Sequence, residues 1–140
     1  MFKSPLLAPA VIAGAALALT AAASAAHPRP TPDQQLEKAL AGRVAGRPTT
    51  CINLSNVNST TIIDGKAILY RVGGRLYVNV PRSGASVLRD DDILVTQTIG
   101  SQLCSIDTVR LVDRASRFPR GFVALGDFVP YSLPKKGGAR

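Results

Sequence analysis

The sequence predicts a mainly β protein: one small antiparallel barrel or sandwich of five to six strands, preceded by a secretory signal peptide and one short helix. Three features carry that expectation. The first residues hold a long apolar run; from Cys51 onward short β-branched runs alternate with turn residues; and Gly73-Gly74 joins two such runs by a two-residue loop.

At the N-terminus Lys3 precedes the apolar run Leu6 to Ala23, and Ala23-Ser24-Ala25-Ala26 places small residues where a signal peptidase cuts. The run approaches the length of a membrane span. Pro9 and Gly14 interrupt it, however, and the cleavage-like stretch ends it, which favours a signal peptide over residues 1–26. No cysteine follows the site for lipid attachment, so the expected product is exported, periplasmic or secreted, without a membrane-spanning segment. The 114 residues left after cleavage suffice for one domain with one core.

Residues 27–50 hold a proline-rich segment, His27 to Pro32, and then a helix signature. Thr31 is the N-cap, Pro32 the first helical position, and Gln34 completes a capping box. Leu36, Ala39 and Leu40 share one apolar face, so a helix is expected from about Pro32 to Ala41, ended by Gly42 or Gly46. The β domain then spans residues 51–133. Its expected strands are Thr60–Asp64, Ala67–Val72, Arg75–Val80, Ile93–Ile99, Thr108–Val112 and Phe122–Leu125, with a short last one at Phe128–Tyr131. Residues 134–140 form a basic tail.

With Gly73-Gly74 as the loop, Tyr70 faces Tyr77, Leu69 faces Val78 and Arg71 faces Leu76. One face of the hairpin is then a core face of Ala67, Leu69, Leu76, Val78 and Val80. The other sets Tyr70 and Tyr77 directly opposite one another, flanked by Lys66, Arg75 and Asn79. Such a surface can stack a base or a sugar while arginines hold phosphate or carboxylate. The competing reading is a cross-strand aromatic pair that stabilises the sheet, partly covered by the helix. Tyr70, Arg71, Arg75, Tyr77, Arg82 and Arg110 are the candidate ligand face.

Several chemistries are excluded. His27 is the only histidine, which removes histidine-based nucleophilic catalysis and multi-histidine metal sites from the domain. No phosphate-binding glycine loop occurs. Cys51 and Cys104 lie 53 residues apart with no Cys-x-x-Cys spacing, and in an oxidising compartment a structural disulfide is expected between them. Asp64, Asp107, Asp113 and Asp127 sit at strand ends or turns, where aspartate is favoured for local bonding. Asp90-Asp91-Asp92 reads as a solvated turn. No metal, cofactor or catalytic residue is assigned. The formal charge of +8, or +7 without Lys3, would draw an anionic envelope component or another polyanion as partner; the competing reading is that it only keeps the protein soluble.

The combination of Cys51-Ile52-Asn53-Leu54, Gly74-Arg75-Leu76-Tyr77-Val78-Asn79, Ser101-Gln102-Leu103-Cys104-Ser105-Ile106-Asp107 and Leu125-Gly126-Asp127-Phe128-Val129-Pro130-Tyr131 resembles a family of small exported bacterial proteins known as a domain of unknown function. The resemblance covers about residues 51–131. It implies an envelope or periplasmic location and no activity, ligand or catalytic residue. Members often carry two further cysteines, one near Ala85 and one at Val123, which supports a separate Cys51–Cys104 pair here. The expected function is a non-catalytic exported binding or structural module with a basic surface. The alternative is a small barrel that binds oligonucleotides or acidic glycans, and the third reading a hydrolase using Asp64, Asp107 or Asp127.

Overall fold

The computed structural model describes residues 9–10 and 26–136 of the chain. The signal peptide expected over 1–26 therefore lies outside the described residues except at 9, 10 and 26, as does the tail from residue 137. Helix α1 spans Pro32–Leu40. Its capping box is formed as expected: the Thr31 hydroxyl accepts the Gln34 N–H at 3.3 Å, and Gln34 Oε1 accepts the Thr31 N–H at 2.9 Å. Gly42, at a φ of +72°, turns the chain away after the helix.

Ten strands follow: β1 Val44–Ala45, β2 Cys51–Asn53, β3 Val57–Ile63, β4 Ala67–Val72, β5 Arg75–Asn79, β6 Asp92–Thr96, β7 Gln102–Cys104, β8 Thr108–Asp113, β9 Pro119–Ala124 and β10 Phe128–Ser132. All seven predicted strands are present within a few residues of their expected bounds. The count of five to six is exceeded because the short last strand, β10, is formed, and because β1, β2 and β7 are two or three residues long, shorter than any alternation can reveal. The pairing is antiparallel throughout, in one sheet ordered β1-β10-β5-β4-β3, a second ordered β6-β8-β9, and a two-stranded pair β2-β7. No closed barrel forms, so the sandwich is the architecture adopted.

The five-stranded sheet is the middle layer. On one face Ala67, Leu69, Leu76 and Val78 pack against Leu36, Ala39 and Leu40 of α1, and Lys66 is ion-paired to Asp33 of that helix. On the other face Ile62, Ile68, Tyr70 and Phe128 meet Ile52, Leu103, Val109, Leu111 and Val123 from the smaller sheets. Burial of these side chains contributes roughly 1.5–3 kcal/mol each.

Cys51 and Cys104 are bonded, and they are direct partners on β2 and β7 with Cα atoms 4.0 Å apart. The Ser105 N–H donates to the Thr50 carbonyl at 2.7 Å, which makes the cysteines a non-hydrogen-bonded pair, where opposed side chains stand closest.

The hairpin register is as predicted, with Tyr70 opposite Tyr77 and Leu69 opposite Val78. Gly73 carries the positive φ, +57°, that the first central position of a tight two-residue loop demands. Three expectations about its faces fail. Lys66, placed beside the tyrosines, is instead turned to Asp33 of the helix on the opposite face. Val80 is 55% exposed because β5 ends at Asn79. Asn79, assigned to an open face, is 0% exposed. Its side chain donates to the Gly126 carbonyl at 2.7 Å and accepts the Gly126 N–H at 3.0 Å.

Candidate ligand cleft between two sheet edges

The six residues expected to form a ligand face are not brought together. Tyr70 is 3% exposed and sits in the core, edge-to-face with Phe128 at 5.7 Å between ring centroids. Tyr77 is half-buried against the same core. Arg75 lies on the tyrosine side of the hairpin tip, whereas Arg71, opposite Leu76, lies on the helix side. Arg82 spends its guanidinium on main-chain carbonyls, Nε to Leu125 at 2.8 Å and Nη2 to Ser105 at 2.6 Å. Arg110 stands on the outer face of the three-stranded sheet, between Val95 and Phe122. The stacking platform fails because the five-stranded sheet is covered on both faces. The run Ala67-Ile68-Leu69-Tyr70, apolar at four consecutive positions, carries that signal, since strands buried on both sides read as continuous apolar runs.

Three of the four strand-end aspartates, Asp64, Asp107 and Asp113, are committed to the backbone. Asp64 accepts the Asp90 N–H at 2.6 Å, and Asp107 accepts the Cys104 N–H at 2.7 Å. Ser116 donates its N–H and its hydroxyl to Asp113, holding that carboxyl below the usual carboxylate range. The Asp90-Asp91-Asp92 stretch is not wholly solvated as predicted. Asp92 is buried, accepting from Arg120 Nη1 at 3.0 Å and from the Arg89 N–H at 3.1 Å. Burial of a carboxylate requires such partners. Among the described residues no three metal-ligating side chains cluster.

What the structure does build is a cleft of about 500 Å³ between β3 and β6. Thr60, Thr61 and Ile62 form one wall, and Ile93, Leu94 and Thr96 the other. Asp90, Asp92 and Arg114 also line it, with Tyr70 and Leu54. Neither Asp64, Asp107 nor Asp127 lines it, nor the smaller concavity of about 300 Å³ around Arg110 and Phe122. The Tyr70 hydroxyl is buried and has no hydrogen-bond partner among the described residues. Burial pushes its ionisation well above the ordinary phenol range. An orphaned buried hydroxyl costs about 1–3 kcal/mol, and here it belongs to a residue that lines the cleft. Residue spacing did not reveal this site, because its walls come from strands distant in sequence.

No family model, no curated protein and no solved structure matches the chain. Among the described residues no helix is long and apolar enough to cross a membrane.

Proposed function

We propose that this is an exported, non-catalytic binding module whose recognition site is the cleft between β3 and β6. The observation that carries the reading is Tyr70, which lines that cleft and whose buried hydroxyl has no partner among the described residues. Elsewhere Asp64, Asp107 and Asp113 clasp turns, Asp92 is neutralised by Arg120, and Asp127 lines neither concavity. A cleft with one unsatisfied donor and no acid–base pair suits recognition better than bond cleavage. Export is supported by the Cys51–Cys104 disulfide, which persists in oxidising compartments, and by the signal-like N-terminus.

Titration of the isotopically labelled, oxidised full chain with neutral oligosaccharides, short peptides, single-stranded DNA and heparin fragments tests this reading by amide chemical shifts. Saturable shifts at Thr61, Tyr70 and Ile93 are expected. Shifts confined to exposed arginines would overturn it.

A second reading, recognition of a polyanion by the open surface, is favoured by charge. Of 17 lysines and arginines in the chain, two are ion-paired among the described residues, Lys66 to Asp33 and Arg120 to Asp92. In that case binding weakens steeply with salt.

A further inference from the structure

We propose that the cleft takes one extended peptide segment, seated as an additional strand between β3 and β6. The inference rests on the cleft being the binding site and names its occupant. β3 is the edge of the five-stranded sheet and β6 the edge of the three-stranded sheet, and both line the same opening. Each edge strand directs every second pair of main-chain groups away from its neighbour.

The register identifies those residues. In the hairpin closed by Gly65, the Lys66 N–H donates to the Ile63 carbonyl at 3.0 Å, and Ile63 pairs with Ala67. Ile63, Thr61 and Ser59 therefore bond β4, leaving the N–H and C=O of Thr60 and Ile62 turned outward. On the other sheet, Ala124 uses its main chain on Arg82 and Ser83, so Val123 and Gly121 are the β9 residues bonded to β8. Val109 and Leu111 answer them, which leaves Arg110 and Val112 to bond Val95 and Ile93. Leu94 and Thr96 are left with main-chain groups free among the described residues. Thr60, Ile62, Leu94 and Thr96 all line the cleft.

The remaining outer edges are protected. β1 has two residues, β2 and β7 have three each, and β9 begins with Pro119 and Arg120 and is bridged at Ala124 by Ser83. Folded proteins blunt free edges by such means because an open edge recruits foreign strands. β3 carries no charge or proline, and β6 carries one charge, the buried and paired Asp92. Two unguarded edges around one opening are reserved for a guest strand, the mode of recognition in which main-chain bonds supply affinity and side chains supply choice.

The guest's chemistry follows from the walls. Asp90 and Arg114 offset one another, Asp92 is already paired, and the other lining groups are uncharged, so an uncharged segment fits where a polyanion does not. About four extended residues cover the free stretch of each edge.

The test pans a random heptapeptide phage library on the oxidised full chain and synthesises the enriched sequences. Enriched peptides should be uncharged and bind saturably. They should slow amide exchange at Thr60, Ile62, Leu94 and Thr96, and lose at least tenfold in affinity when alternate amides are N-methylated. The T60P and T96P substitutions, which remove outward-facing donors at edge positions where proline is tolerated, should weaken binding by a similar factor with unchanged thermal unfolding. No enrichment, or peptides indifferent to N-methylation, overturns the assignment. A neutral oligosaccharide that shifts Thr61 and Tyr70 without protecting the edge amides would sink the peptide while leaving the cleft as the site. Silence at the cleft with every probe sinks both.

Discussion

Asn79 and Gly126 show how one polar side chain can be indispensable inside an apolar core. The Asn79 amide satisfies both the N–H and the C=O of Gly126, and a Cβ at Gly126 would stand 2.3 Å from the Val80 carbonyl oxygen. Asn79→Ala leaves two buried main-chain groups unbonded, and urea unfolding should show a loss of about 3 kcal/mol. Gly126→Ala should cost at least as much, since backbone must move to admit the methyl. Tyr70 is the opposite case, a polar atom held without compensation. Tyr70→Phe should raise stability by about 1 kcal/mol while weakening any ligand that bonds the hydroxyl. Its ionisation also predicts a pH effect. The folded-state phenol ionises above the ordinary 10.0, so its contribution is intact below that pH. It is lost as pH rises further, at up to about 1.4 kcal/mol per unit. Unfolding midpoints of wild type and Tyr70→Phe compared at about pH 9 and about pH 11 check it: the wild type should lose more.

Among the elements, the β2-β7 pair depends most on its covalent link. A two-stranded ribbon of this length is marginal alone, and besides the disulfide it is held by Ile52 and Leu103 pressed into the core and by flanking bonds such as the Thr49–Phe128 bridge. Replacing both Cys51 and Cys104 by alanine should remove roughly 4 kcal/mol, from the closed loop of chain. The melting temperature should fall by on the order of 15 °C, read by calorimetry. The cysteine pair was legible from two residues and a compartment, and α1 from the Thr31 and Gln34 signature, because capping and disulfide formation are decided by few atoms. The β3, β4 and β5 runs were legible from β-branched content and the Gly73-Gly74 loop. Which faces they bury was not, because alternation along one strand cannot say how many layers will cover it. The continuous apolar stretch at Ala67–Tyr70 was the local clue, and its meaning depended on α1 and the second sheet lying on opposite sides. The cleft was still less legible, for it is defined by pairings that β3 and β6 do not make.

For the molecule as a whole, the charge surplus is spread rather than gathered. Arg71, Arg75 and Arg110 occupy three separate faces, and Arg82 braces a loop. If the surface attracts polyanions, retention on heparin should fall linearly with the logarithm of salt. Each single substitution of Arg71, Arg75 or Arg110 by alanine should lower retention slightly and similarly, and Tyr77→Ala should leave it unchanged. A collapse of retention on one substitution would instead reveal a focused patch. The disulfide has a bearing at this scale too. The stretch of chain it ties into a ring runs from Cys51 to Cys104 and contains both jaws of the opening, Thr60 with Ile62 and Leu94 with Thr96. Reduction would thus slacken both jaws at once, so the grip would mature after the chain meets oxidants and relax if it were returned to thiol-rich surroundings.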